Sequence, residues 1–162
     1  MADKKTGSSI SAREKAIALL ARREHSAREL KAKLERKGLD ADESAHALAD
    51  LRARDYQSDA RFGEMLVRSR ISGGYGPRWI IAELKTHGIG GDAAQVLIDA
   101  AEPDWPALIR DLLRRRYAGK HSVNLAERRK HVAFLLRRGF DAATVQSITR
   151  AQVLDASVGE LD

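Results

Sequence analysis

One pattern recurs three times and restricts the fold more than any other feature of the chain. Leu34-x-x-x-Gly38-Leu39, Leu84-x-x-x-Gly88-Ile89 and Leu135-x-x-x-Gly139-Phe140 follow one another at intervals of 50 and 51 residues. Each has the same physical sense. An apolar residue anchors a helix, a glycine in left-handed backbone ends it, and the next apolar residue packs back on the helix end. Ala32, Ala82 and Ala133 keep the same offset, as do Ala47, Leu97 and Ile148. Self-similarity at such a period means tandem supersecondary units. A unit of about 45 residues is marginal alone, so neighbours are expected to stack.

Capping signals divide each unit into three helices. Ser11-x-x-Glu14 and Ser26-x-x-Glu29 are capping-box patterns, and Asp40-x-x-Glu43 opens a third helix. The inward residues expected are Ala16, Leu19 and Leu20, then Leu30 and Leu34, then Ala45, Leu48 and Leu51. In the second unit Phe62 and Leu66, flanked by Met65 and Val67, mark the first helix. Ile80, Ile81 and Leu84 mark the second, and Ala94, Leu97, Ile98 and Ala101 the third, which begins near Asp92. In the third unit Asp104 caps a helix with Pro106 in its first turn, and Asn124-x-x-Glu127 and Asp141 start the next two. Leu108, Leu112 and Leu113, then Val132, Leu135 and Leu136, then Val145 and Ile148 are expected inward. The fold class expected is all-α: three tandem three-helix repeats, 11–56, 57–103 and 104–152, stacked into an elongated, curved body with one long concave face. Residues 1–10 form a flexible tail and 153–162 an acidic one, after the last helix has run on by about a turn.

Charge is unevenly placed. The net charge is +6. Residues 104–150 carry 11 Lys/Arg against 4 Asp/Glu, net +7, whereas 151–162 carry three acids and no base. A clustered surplus points to a polyanion or an acidic protein surface. There is no cysteine, hence no disulfide and no thiolate metal site. No apolar run approaches the ~20 residues that cross a bilayer, and the first ten residues lack a signal peptide's apolar segment. A cytoplasmic location follows.

Sites of chemistry are few. His25, His46, His87, His121 and His131 form no His-Glu-x-x-His pattern and read as solvated or capping residues, so no metal or cofactor is expected. Gly73-Gly74-Tyr75-Gly76 lacks the Lys-Ser/Thr of a phosphate-binding loop and reads as an elbow between helices. That elbow either projects as a contact loop with Tyr75 and Arg78 exposed, or is a purely structural turn. No nucleophile–base pair or paired carboxylates stand out, so catalysis is not expected. The third helices begin with Asp42 and Glu43, Asp92, or Ala142 and Ala143; acids there would repel phosphates and argue against reading base edges. Trp79 and Trp105 sit at helix starts and read as packing residues. The candidate partner- or phosphate-binding residues are basic. One cluster is Lys31, Lys33, Arg36 and Lys37. The larger is Arg110, Arg114, Arg115, Arg116 and Lys120, joined by Arg128, Arg129, Lys130, Arg137 and Arg138. Some of these must snorkel past the core. Any one of them alone can equally be a solvated charge.

The stretch Asp59–Ile89 also carries a resemblance. Asp59-x-x-Phe62, Val67-Arg68-Ser69-Arg70, Gly74-Tyr75-Gly76-Pro77-Arg78, Glu83-Leu84 and Gly88-Ile89, in that order, are similar to the central motif of the RecX family, the bacterial regulators of the RecA recombinase. Arg22-Arg23-x-x-Ser26-x-x-Glu29-Leu30-x-x-Lys33-Leu34 and Lys37-Gly38 resemble the family's first repeat. Phe134-Leu135-x-Arg137-Arg138-Gly139-Phe140 resembles its third. Trp79 departs from it, since members commonly carry a basic residue there. The resemblance covers about residues 13–150. It implies tandem three-helix repeats, no intrinsic catalysis, and binding to RecA and its filament on single-stranded DNA. It further implies that RecA's ATPase, strand-exchange and coprotease activities are inhibited. A monomer that adds phosphate contacts to single- or double-stranded DNA is the expected form. A sequence-independent nucleic-acid-binding protein, or a plain helical scaffold, are the other readings that composition allows.

Overall fold

The structure, a computed structural model, describes residues 11–118 and 124–159, with side chains as far as 154. These residues form nine helices and no strand: α1 (Ala12–Leu20), α2 (Ala27–Arg36), α3 (Ala41–Ala53), α4 (Asp59–Ser72), α5 (Pro77–Thr86), α6 (Gly91–Ala100), α7 (Trp105–Tyr117), α8 (Leu125–Arg137) and α9 (Ala142–Gly159). The protein is an all-α repeat fold. It divides into two compact units, residues 1–65 and 66–162, with the boundary inside α4.

The recurring glycines end α2, α5 and α8 as the spacing requires. Gly38, Gly88 and Gly139 have φ of +83°, +81° and +86°. In each case the residue after the glycine donates its N–H to the carbonyl of the apolar anchor: Leu39 to Leu34 at 3.2 Å, Ile89 to Leu84 at 3.1 Å, Phe140 to Leu135 at 3.2 Å. This is the double closure that satisfies carbonyls left over at a helix end. The starts are equally local. Ser11, Ser26, Asp40, Asp104 and Asn124 accept from backbone N–H groups in the first turns of their helices, and Asp141 does so for Ala143 and Thr144.

In the first unit, α1, α2 and α3 pack around Ala16, Leu30, Leu34, Leu48 and Leu51. A polar network ties the turns together. Asp59 accepts from the N–H of Ala27 and the amide of Gln57, both at 2.9 Å, while Gln57 also donates to the His25 carbonyl at 3.1 Å. Arg61 joins Glu24 at 2.8 Å and Asp55 at 2.9 Å. In the second unit α5 packs on α6, and α7 and α8 on α9. Ile109, Leu113, Phe134, Leu135, Phe140, Val145 and Ile148 form the last core.

Several helix faces differ in phase from the sequence reading. Ala45 is exposed, and Ser44 and Ala47 take the inner face with Leu48 and Leu51. Ile109 replaces Leu108, and Phe134 with His131 replaces Leu136, which stays 42% exposed. Ala101 caps α6 and is exposed. Where apolar residues stand at adjacent positions, periodicity leaves the phase open by one residue and packing selects it. The last helix runs to Gly159, well beyond the single turn expected past 150, because no Gly or Pro interrupts 151–158. Of the expected tails, 1–10 and 153–162, residues 1–10 and 160–162 lie outside the described residues, while 153–159 belong to α9.

Candidate functional site

The glycine-rich elbow between α4 and α5 is a docking joint within the second unit. Gly76 precedes Pro77 and has no side chain to cap α5. The end of α8 supplies the missing acceptors. The N–H of Gly76 donates to the Arg138 carbonyl at 2.7 Å, and that of Arg78 to the Gly139 carbonyl at 3.0 Å. Orphan donors at one helix start thus meet orphan acceptors at another helix end, and the positive end of the α5 dipole faces the negative end of the α8 dipole. The approach leaves no room for side chains. A Cβ at Gly76 would lie 2.4 Å from the Phe140 nitrogen, and one at Gly139 would lie 2.4 Å from the Trp79 nitrogen. The elbow is thus docked on the end of α8. Tyr75 is half-buried and Arg78 exposed.

Arg138 bridges elbow and helix. It donates to the Gly73 carbonyl at 3.1 Å, and its guanidinium lies 4.6 Å from the Tyr75 ring centre and 5.4 Å from that of Phe134. Tyr75 stacks on Trp79 at 4.9 Å. Arg70 grips Glu83 with two hydrogen bonds of 2.7 and 2.6 Å. That grip holds the Glu83 carboxyl below its ordinary range, with burial opposing. Trp79, packed on Tyr75, still remains 44% exposed and lines a cleft of about 660 Å³, whereas Trp105 lies against Phe140.

The remaining basic candidates separate into committed and open charges. Arg128 donates to Gln146 at 2.6 Å and ties α8 to α9. Arg116 lies 4.3 Å from the Phe134 ring centre and covers it. Arg114 and Arg115 both pair with Asp111, the latter at 2.6 Å, yet stay largely exposed. Their hydrogen bonds, Arg114's first, lower the Asp111 pKa. Arg110, Arg129, Lys130 and Arg137 are exposed, with no ion pair among the described residues. Lys120 lies outside the described residues. On α2, Lys33 is committed: it reaches Glu29 at 3.0 Å and His25 Nε2 at 3.1 Å. Lys31 pairs loosely with Glu35 at 3.8 Å, Arg36 donates to the Ala32 carbonyl, and Lys37 is exposed.

Two histidines expected at the surface are buried. His25 Nδ1 lies 2.9 Å from the Arg23 carbonyl, which fits a neutral ring with its proton on Nδ1 and Lys33 donating to Nε2. His131 stacks against Tyr117 at 3.9 Å and has no hydrogen-bond partner for Nδ1. Burial lowers the pKa of both. Among the described residues no group of His, Asp and Glu is placed to hold a metal ion. Nor is any described helix long and apolar enough to cross a membrane. The arrangement offers rows of cations and an open aromatic face at Trp79.

Comparison with known proteins extends over the same helices. Residues 12–51, 58–96 and 103–149 match, in order, the models for the first, second and third three-helix domains of RecX. The regulatory protein RecX of Stenotrophomonas maltophilia (strain R551-3) is 44% identical over 137 residues, which is 85% of this chain and 84% of that protein. The regulatory protein RecX of Xanthomonas campestris pv. campestris (strain B100) is 42% identical over 142 residues, 88% of each. The crystal structure of RecX from Lactobacillus salivarius superposes with a TM-score of 0.71 at 21% identity, covering 88% of this chain and 95% of that one.

Proposed function

Because this chain belongs to the RecX family of regulatory proteins, we propose that it is a non-enzymatic regulator whose partner is the RecA recombinase. It binds RecA and the filament that RecA forms on single-stranded DNA, and it suppresses ATP hydrolysis, strand exchange and coprotease activity. It works in the cytoplasm as a monomer and uses no cofactor. The observation that carries this reading is the match to all three family domains, on a chain whose α7 and α8 present open cations at Arg110, Arg129, Lys130 and Arg137. Such cations suit an acidic protein surface or the phosphates of filament-bound DNA.

The test is RecA's single-stranded-DNA-dependent ATP hydrolysis, titrated with this protein at fixed salt and at two DNA concentrations. Turnover should fall at well below one protein per RecA, and extra DNA should not restore it. The second reading, a sequence-independent nucleic-acid-binding protein, is favoured by the surplus of +7 in residues 104–150. It predicts inhibition only at coating ratios, and rescue by added DNA.

A further inference from the structure

The one large aromatic face that the described part of the second unit leaves open is held rigidly in place. Glu83, one turn further along α5 from Trp79, is gripped by Arg70 from α4. Behind the indole, Tyr75 stacks at 4.9 Å with the rings inclined by 29°. The Arg138 guanidinium lies 4.6 Å from the Tyr75 ring centre. The Trp79 backbone is pressed against Gly139, where a Cβ would fall 2.4 Å from its nitrogen. Despite these restraints Trp79 remains 44% exposed, and Ala82 and Thr86 extend the cleft beside it. A ring already fixed loses little freedom when something stacks on it.

The surrounding charge selects the occupant. Arg138 sits one ring away, and exposed Arg78 directly precedes Trp79 in the chain. The Glu83 charge is neutralised by Arg70 and does not repel an anion. Flat apolar faces joined by phosphates match a fixed aromatic surface flanked by cations. Bases inside a duplex are already stacked and cannot offer a face. We propose that Trp79, backed by Tyr75, seats one unpaired base of a single-stranded nucleic acid, with the exposed Arg78 toward a neighbouring phosphate. The seat makes the chain prefer unpaired strands to duplex. This rests on the reading that the chain works on filaments formed on single-stranded DNA, and adds a residue that senses strand state.

The test uses nucleic acid alone. Binding of the full chain to oligothymidylate of about 20 nucleotides, and to a duplex of equal length, is measured by anisotropy at about 150 mM salt. Trp79→Ala should weaken oligothymidylate binding about 5- to 100-fold and leave duplex binding within about twofold; Trp79→Phe should keep most of the affinity. In Trp105→Phe the only tryptophan left is Trp79, and its emission should be quenched on saturation with oligothymidylate. That result stands even if Trp79→Ala folds poorly. Absence of oligothymidylate binding, equal loss on duplex, or unquenched emission at saturation overturns the seat. So does a Trp79→Ala chain that loses RecA inhibition while its oligothymidylate binding is unchanged, since the occupant would then be a protein side chain. The regulator reading is judged separately, by whether the unaltered chain inhibits RecA.

Discussion

Gly38 and Gly139 share a left-handed φ but not a neighbourhood. Around Gly38 an added Cβ meets nothing within 4 Å, whereas at Gly139 it overlaps the Trp79 backbone. Gly38→Ala should therefore cost only the conformational strain, about 1–2 kcal/mol. Gly139→Ala should cost clearly more, and should also disturb Trp79 fluorescence. Urea unfolding of both variants checks the difference. The repeat spacing made both glycines legible as helix stops. It could not reveal the approach of Gly139 to Trp79 that distinguishes them, because those two residues are far apart in the chain. Glu29 offers a second test. Burial raises its pKa, but the Arg23 and Lys33 hydrogen bonds overcome this and bring it to about 2 from an ordinary 4.5. Its contribution is present above pH 4.5 and is lost as pH falls through about 2. On the order of 3 kcal/mol is an upper bound, and Glu29→Gln should flatten the acid limb of the unfolding curve by up to that amount.

At the scale of elements, α7 shows why a run of arginines is not one site. Arg114 and Arg115 turn to solvent over Asp111, while Arg116 folds over Phe134. Reversing all three charges would uncover the core as well as remove charge. The cleaner change is Arg114→Glu with Arg115→Glu. It should reduce RecA inhibition severalfold, and lower the slope of log affinity for DNA against log salt by about 1 for each phosphate that is no longer neutralised, with helicity unchanged by circular dichroism. An unaltered salt slope would assign these two arginines to a protein surface instead. The helices themselves were legible from caps and stops, since both are decided within four residues. Their inward phase was legible only where one apolar position had no apolar neighbour, as at Leu30 and Leu34 but not at Leu108 and Ile109.

At the scale of the whole molecule, the two buried histidines give both compact units the same response to acid. His25 lies in the first and His131 in the second, and burial lowers the pKa of each from 6.5. Between that value and the lower folded one, the unfolded chain binds more protons than the folded chain. Stability should therefore fall as pH drops below 6.5. The melting temperature should be lower near about pH 5.5 than near about pH 7.5. His131→Phe, which keeps the ring against Tyr117 and removes an unpartnered Nδ1, should shrink the drop and raise stability at both pH values.

The sequence alone determined the helix starts and stops, the tandem repeat, the absence of cysteine chemistry, the basic last third and the family resemblance. All of these are encoded in neighbouring residues or in plain counts. The tertiary structure decided what separated residues do to one another. It turned the elbow into a joint on the end of α8, buried His25 and His131, left Trp79 open while Trp105 packed, and committed Arg116, Arg128 and Arg138 to rings, a side-chain amide and a carbonyl. Those outcomes depend on which helix end meets which helix start, and no local pattern carries that pairing.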